Sequence, residues 1–218
     1  MSPWIRTNEQ EEAVAALEAF TRFLPGVKTD PFEWRWAILS LHIALQGFMV
    51  VAIRDSAGLS PLPDDVAAKR LDAHRGGGPK PKERLDTYPN LYEKIKKANV
   101  AALVQGRPFV PSGTQGRSVK LLNQARNQFV HVLPAVWSLE ITGLPHLCLD
   151  CLAIIEYLAR DYRDLLWHRE TYLQRIDTAA ANARALLDGL QREYEGGAPE
   201  MLAEQTGSIL GSIGHRGQ

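Results

Sequence analysis

The sequence predicts an all-α protein, a helical bundle of four to five main helices with a long, partly irregular insertion. Three observations carry this. Apolar residues recur at three- and four-residue offsets through most of the chain. No stretch keeps up the two-residue alternation of a half-buried strand, and no internal repeat is found. Proline and glycine, the strongest breakers, gather within 55–117 and leave long uninterrupted runs on either side. With 218 residues, 45% of them hydrophobic, the chain can bury a sizeable core. We expect a bundle over 1–195, carrying the insertion at about 55–117, and a flexible C-terminal tail at 196–218.

Each element has its own warrant. From Asn8 to Leu24, Ala13, Val14, Ala16, Leu17, Phe20 and Leu24 fall on one helical face, and Pro25-Gly26 ends the run. Asp30-Pro31-Phe32-Glu33 reads as a helix start, with an acid to cap, Pro in the first turn and Glu three residues on. Trp34 to Arg54 is apolar on nearly every side, as the central helix of a bundle must be. Within the insertion, short helices are expected at about 63–73 and 90–104, with Gly76 to Gly78 the loosest point. Ser118 opens the next helix and Pro134 closes it, and a short helical piece holds Trp137. Gly143-Leu144-Pro145 marks another start, leading into His146 to Asp161. A further pattern runs from Tyr162 to Tyr194, continuous with it or bent once, and Gly196-Gly197-Ala198-Pro199 ends the ordered body.

Charge and composition narrow the function classes. Lys+Arg and Asp+Glu both number 25, so global charge marks neither a nucleic-acid nor a membrane binder. The distribution is uneven: Val66 to Arg126 holds 13 Lys and Arg against 4 Asp and Glu. That segment is either a basic surface or a solvated, loop-rich stretch. The start, MSPWIRTNEQEE, has no apolar run of signal-peptide type, and no run of about 18 uncharged apolar residues is evident. No membrane association is therefore expected. Two cysteines make no disulfide framework and suit a reducing cytoplasm.

The stretch LLNQARNQFVHVLP, Leu121 to Pro134, raises the functional question. At about 100° per residue, Leu121, Leu122, Ala125, Phe129, Val132 and Leu133 share one arc. Lys120, Asn123, Asn127 and His131 share another, and Asn123, Asn127 and His131 form a ridge at four-residue spacing. Arg126 lies at the border, where its stem covers apolar surface while its guanidinium reaches the ridge. These residue types suit work on a phosphodiester. Arginine offers a planar fork of donors to phosphate, histidine moves protons near neutral pH, and an amide orients either one. Together they suffice for RNA cleavage without metal or cofactor. The ribose 2′-OH attacks the neighbouring phosphorus, His131 transfers a proton, and Arg126 stabilises the developing charge. Such cleavage calls for an acid and a base, and one protomer supplies one histidine here; a twofold dimer facing two such helices supplies two. The spacing alone is weak, since Asn, Arg and His also populate ordinary solvated faces.

Arg126-Asn127-Gln128-Phe129-Val130-His131 resembles the Arg-polar-x-x-x-His signature of HEPN domains, helical-bundle proteins of which many are metal-independent ribonucleases in toxin–antitoxin, anti-phage and RNA-processing systems. The stretch LNQARNQFVHVLPAVWSLEITGLPHL, Leu122 to Leu147, is similar to the motif region of bacterial HEPN families in which Pro and Trp follow the histidine. The resemblance covers roughly 118–158 firmly and the helix from Pro31 loosely. It implies Arg126, Asn127 and His131 as catalytic residues and no metal; Asn123 and Lys120, on the same polar arc, are expected to bind substrate. It also implies RNA as substrate, a homodimer with a composite site, and an antitoxin or defence-system partner. Some HEPN proteins bind RNA or partners without cutting.

Other candidates have plainer readings. Cys148-Leu149-Asp150-Cys151 follows no strand and lies in an apolar helical run, so its thiols read as buried and structural. A zinc site there would need more ligands than His146. His42, in the most apolar helix, reads first as a satisfied core histidine and second as a site residue. Gly76-Gly77-Gly78, flanked by Arg75, Lys80 and Lys82, lacks the Walker pattern and a feeding strand, and reads as a flexible basic segment able to touch an RNA backbone.

Overall fold

A computed structural model describes residues 3–76, 78–131, 134, 136–163 and 170–211, with side chains of the last helix described over 171–196. Among the described residues every regular element is helical, so the all-α expectation holds. The elements are α1 (Glu9–Phe23), α2 (Trp34–Ile53), α3 (Asp64–Gly76), α4 (Tyr88–Ile95), α5 (Ala98–Leu103), α6 (Gln115–Val130), α7 (Leu144–Arg160) and α8 (Glu170–Gly211). Helices α1, α2, α7 and α8 close a ring, each packing on the next, and α6 lies over the edge between α2 and α7.

Local chemistry sets the boundaries. Asn8 caps α1 by accepting from the Glu11 N–H (2.8 Å). Asp30 accepts from the Phe32 N–H (2.9 Å), and a 3₁₀ turn over Pro31–Glu33 feeds α2. Gly47 in α2 faces α1: a Cβ there would lie 2.8 Å from the Ala13 Cβ and 3.0 Å from its Cα. The glycine thus sets how closely these two helices approach. At the far end, the Arg163 guanidinium donates to the Val51 (3.1 Å) and Arg54 (3.3 Å) carbonyls, satisfying acceptors that the end of α2 leaves open.

Several expectations change. Pro31–Ile53 is long and apolar enough to cross a membrane by length and composition, with a hydropathy of 1.9, contrary to the reading that no such run exists. Most of that window (61%) is buried against the other helices, and a central bundle helix needs the same composition. The single helix expected at 90–104 is two, α4 and α5. Continued at 100° per residue, α4 would turn Asn99 onto the face formed by Tyr88, Leu91, Tyr92 and Ile95. The break after Ile95 resets the phase, so Val100 and Ala101 are buried instead. No helix forms around Trp137. The pattern from Tyr162 to Tyr194 is not one helix running on from α7. The chain turns after Arg160, and α8 begins at Glu170. Helix α8 then passes through Gly196-Gly197-Ala198-Pro199 to Gly211, so the first part of the tail expected to be flexible at 196–218 is helical, and 212–218 lies outside the described residues.

The insertion is fastened where composition suggested looseness. The Lys94 ammonium is buried and pairs with Asp86 (2.8 Å), itself only 5% exposed. It also donates to the carbonyls of Ser60 (3.1 Å) and Leu62 (2.5 Å). Burial works against the Asp86 carboxylate, but hydrogen bonds from Lys94, Asn90 and the Thr87 N–H, with the Lys94 charge, outweigh it and hold the carboxyl below its ordinary range. Of the cations in the basic segment, Lys69, Arg70, Arg84, Lys94 and Lys96 are ion-paired, which trims the basic surface that the count suggested. Gly77 lies outside the described residues.

Candidate functional site

Helix α6 is held at its start by a polar knot rather than by the expected Ser118 cap. It begins at Gln115, with Thr114 as N-cap. Ser118 is buried in the first turns and donates to Asp150 Oδ2 (2.6 Å). The Thr114 hydroxyl donates to the same oxygen (2.7 Å) and stands 2.9 Å from His146 Nε2. Asp150 and His146 both belong to α7, so one carboxylate fixes the start of α6 against its neighbour. The cysteines around Asp150 are buried and free, and burial, the largest influence on both, pushes their thiols well above the ordinary range. They are structural.

The predicted ridge divides in two. Asn123 turns inward toward α2, and its Oδ1 accepts from His42 Nε2 (3.1 Å). The His42 ring is buried and stacks on Tyr88 of the insertion, with ring centroids 4.0 Å apart and planes at 19°. Burial is the largest influence on His42. The Asn123 hydrogen bond opposes it and the nearby Arg126 charge adds to it, so the imidazole falls to about 4 and is neutral at pH 7. Asn123 therefore joins α6 to α2, and through the stacked His42 and Tyr88 rings to α4.

One turn further on, the arrangement opens. The half-buried Arg126 donates from Nη1 to Asn127 Oδ1 (3.0 Å). Among the described residues no ion pair joins Arg126 to an acid, and Glu140 instead accepts from Thr142 Oγ1 (2.6 Å). His131 is exposed and forms the C-cap of α6 (φ −96°, ψ 86°), with its N–H on the Asn127 carbonyl (2.9 Å). The helix thus ends four residues before Pro134. The reason is the return path: Trp137 comes back to lie on Phe129, with centroids 5.2 Å apart, which a helix continuing to Pro134 would prevent. Val132 and Leu133, expected on the apolar arc, lie outside the described residues. Leu121, expected on that arc, is 39% exposed, because the buried face is centred on Val119, Leu122 and Ala125. Lys120 is exposed on the outer side.

Helix α2 keeps an open apolar stripe. His42 marks the side of α2 that meets α6, and Gly47 marks the side that meets α1. Between them Trp36 (48%) and Ile43 (52%) are open to solvent, with Trp36 beside Phe23 of α1 at 6.4 Å between ring centroids. Among the described residues no group of three or more His, Cys, Asp or Glu side chains is placed to hold a metal ion. Sequence reasoning ranked His42 below the ridge and had no signal for the Lys94–Asp86 pair, whose partners come from different elements. Comparison of the chain with protein-family models, with curated proteins and with solved structures finds no match.

Proposed function

We propose that the chain is a metal-independent endoribonuclease of the HEPN type, acting on single-stranded or looped RNA as a homodimer with a composite site. The observation that carries this reading is the state of Arg126. Its half-buried guanidinium is steadied by Asn127 and, among the described residues, paired to no acid, and an exposed histidine follows at the end of the same helix. An arginine so held is available to a phosphoryl oxygen. In the mechanism, Arg126 binds the scissile phosphate and stabilises charge on its non-bridging oxygens. One His131 takes the 2′-OH proton, and the His131 of a second copy gives a proton to the leaving 5′-oxygen. The products are a 2′,3′-cyclic phosphate and a 5′-hydroxyl. Asn127 orients the guanidinium, and Lys120 contacts the backbone further along the strand. Work in the cytoplasm, within a toxin–antitoxin or anti-phage system, accords with this reading.

A second reading, a non-catalytic HEPN-like dimer that holds RNA, a nucleotide or a protein, has one observation in its favour. One of the three ridge residues is engaged internally, since Asn123 accepts from His42, which stacks on Tyr88. One experiment separates the two. Purified protein and its Arg126→Ala and His131→Ala variants are incubated with a mixed RNA pool in EDTA. The nuclease reading expects cleavage by wild type alone, cyclic phosphate ends, and at least a hundredfold loss in each variant with little change in Tm. Intact RNA with all three proteins folded and dimeric selects the binding reading.

A further inference from the structure

Beside the C-terminal end of α6 lies a cleft of about 350 Å³. Its walls include Phe129 of α6, Trp137 of the returning chain, and Phe32 and Arg35 at the start of α2. The Phe129 and Trp137 rings meet edge to face at 64°, and the Arg35 guanidinium carbon stands 5.7 Å from the Phe129 ring centre. Phe32 is 81% exposed and forms an open lip. Arg35 lines the cleft, and among the described residues no ion pair joins it to an acid.

We propose that this cleft is a stacking pocket for one unpaired nucleobase of a single-stranded RNA. Flat aromatic walls and a guanidinium plane take up the π-face of a base, as in single-strand binding generally. Base edges carry carbonyl oxygens and ring nitrogens able to accept from the terminal N–H groups of the Arg35 guanidinium. An aliphatic or phenyl side chain would fill the walls and bring that guanidinium no acceptor. Position favours a strand over a free nucleotide: Phe129 follows Arg126 by three residues, so the two side chains neighbour one another along α6. A base in the cleft brings its own phosphate beside the Arg126 face. This pocket rests on the RNA reading and adds to it a positioning element that neither charge nor acid–base chemistry supplies.

The test measures fluorescence anisotropy of short labelled oligouridylate and oligoadenylate strands in EDTA, on a His131→Ala background so that nothing is cut. Trp137→Ala is expected to weaken binding about tenfold or more, and Trp137→Phe to restore most of it. Strands of abasic residues are expected to bind weakly and to ignore Trp137→Ala. Trp137 is partly exposed and outside any helix, so circular dichroism of the variant is expected to match wild type. Equal affinity for Trp137→Ala, abasic strands binding as well as normal ones, or no RNA binding at all overturns the pocket. Adenosine monophosphate competing at the affinity of the strand also overturns it, in favour of a free-nucleotide site. Failure of the nuclease reading is separate: loss of binding in Trp137→Ala with no cleavage by wild type keeps the pocket and removes the enzyme.

Discussion

At the scale of single residues, two buried ionisable groups decide how the protein responds to pH and to substitution. His42 is neutral when folded, at about 4, against an ordinary value of 6.5. The unfolded chain therefore binds more protons than the folded one between these values. The stability contributed by His42 is complete above pH 6.5 and is lost as pH falls toward 4, by roughly 3 kcal/mol in total. Melting temperature against pH for wild type and His42→Gln should show a difference confined to that window; parallel curves would mean that His42 stays solvated. The second is a pair, Lys94 and Asp86, each less than a tenth exposed. Asp86→Asn leaves the ammonium only the exposed Asp64 carboxylate (3.4 Å) as counter-charge and should cost about 3–5 kcal/mol in urea melts, whereas Lys94→Met with Asp86→Leu together should cost far less. A loss below 1 kcal/mol for Asp86→Asn would show that the ammonium reaches water.

At the scale of elements, the apolar periodicity located the main helices, and the chemistry of side chains placed their ends. Asn8 and Asp30 were readable as caps because each binds an N–H two or three residues ahead. Ser118 was misread because its hydroxyl serves Asp150, a residue 32 positions away, and nothing local in the sequence signals that. The break between α4 and α5 has one local sign, Asn99 standing where the apolar face of α4 would continue, but the burial of Val100 and Ala101 after the reset is set by tertiary contact. Gly47 gives the element-scale prediction. A helix-interior glycine costs about 1 kcal/mol relative to Ala, and here that cost is offset by close approach of α1 to α2. Gly47→Val must push Ala13 away and should destabilise by about 1–3 kcal/mol in denaturant melts. Ala13→Gly on that background should recover part of the loss. Recovery of nothing would mean that the collision lies elsewhere.

At the scale of the whole molecule, the ring of α1, α2, α7 and α8 explains why α6 carries the candidate site. A bundle whose core is already closed by four helices can spare one face of a fifth. The sequence showed that α6 has a polar side, and it named Arg126, Asn127 and His131 on it. It could not show that Asn123 would be drawn under Tyr88, because the insertion that supplies Tyr88 lies far upstream in the chain. Nor could periodicity reveal the open stripe on α2, since a helix apolar all round reads as buried all round. Trp36 and Ile43 are nevertheless about half exposed, on the side of α2 between its contacts with α6 and with α1. Apolar surface of this kind on a central helix is stabilised by a second copy, and a twofold axis there would bring two Arg126 and two His131 side chains to one seam. The prediction concerns mass and activity together. Wild type should run as a dimer in light scattering, and Trp36→Glu with Ile43→Glu should give a folded monomer. In a composite site that monomer loses RNA cleavage, and wild type mixed with an excess of the His131→Ala protein loses activity, because a mixed dimer holds one His131 where the site needs two. A charged double variant that stays dimeric would move the interface away from α2, and a monomer that still cuts RNA at the wild-type rate would place the whole site within one chain.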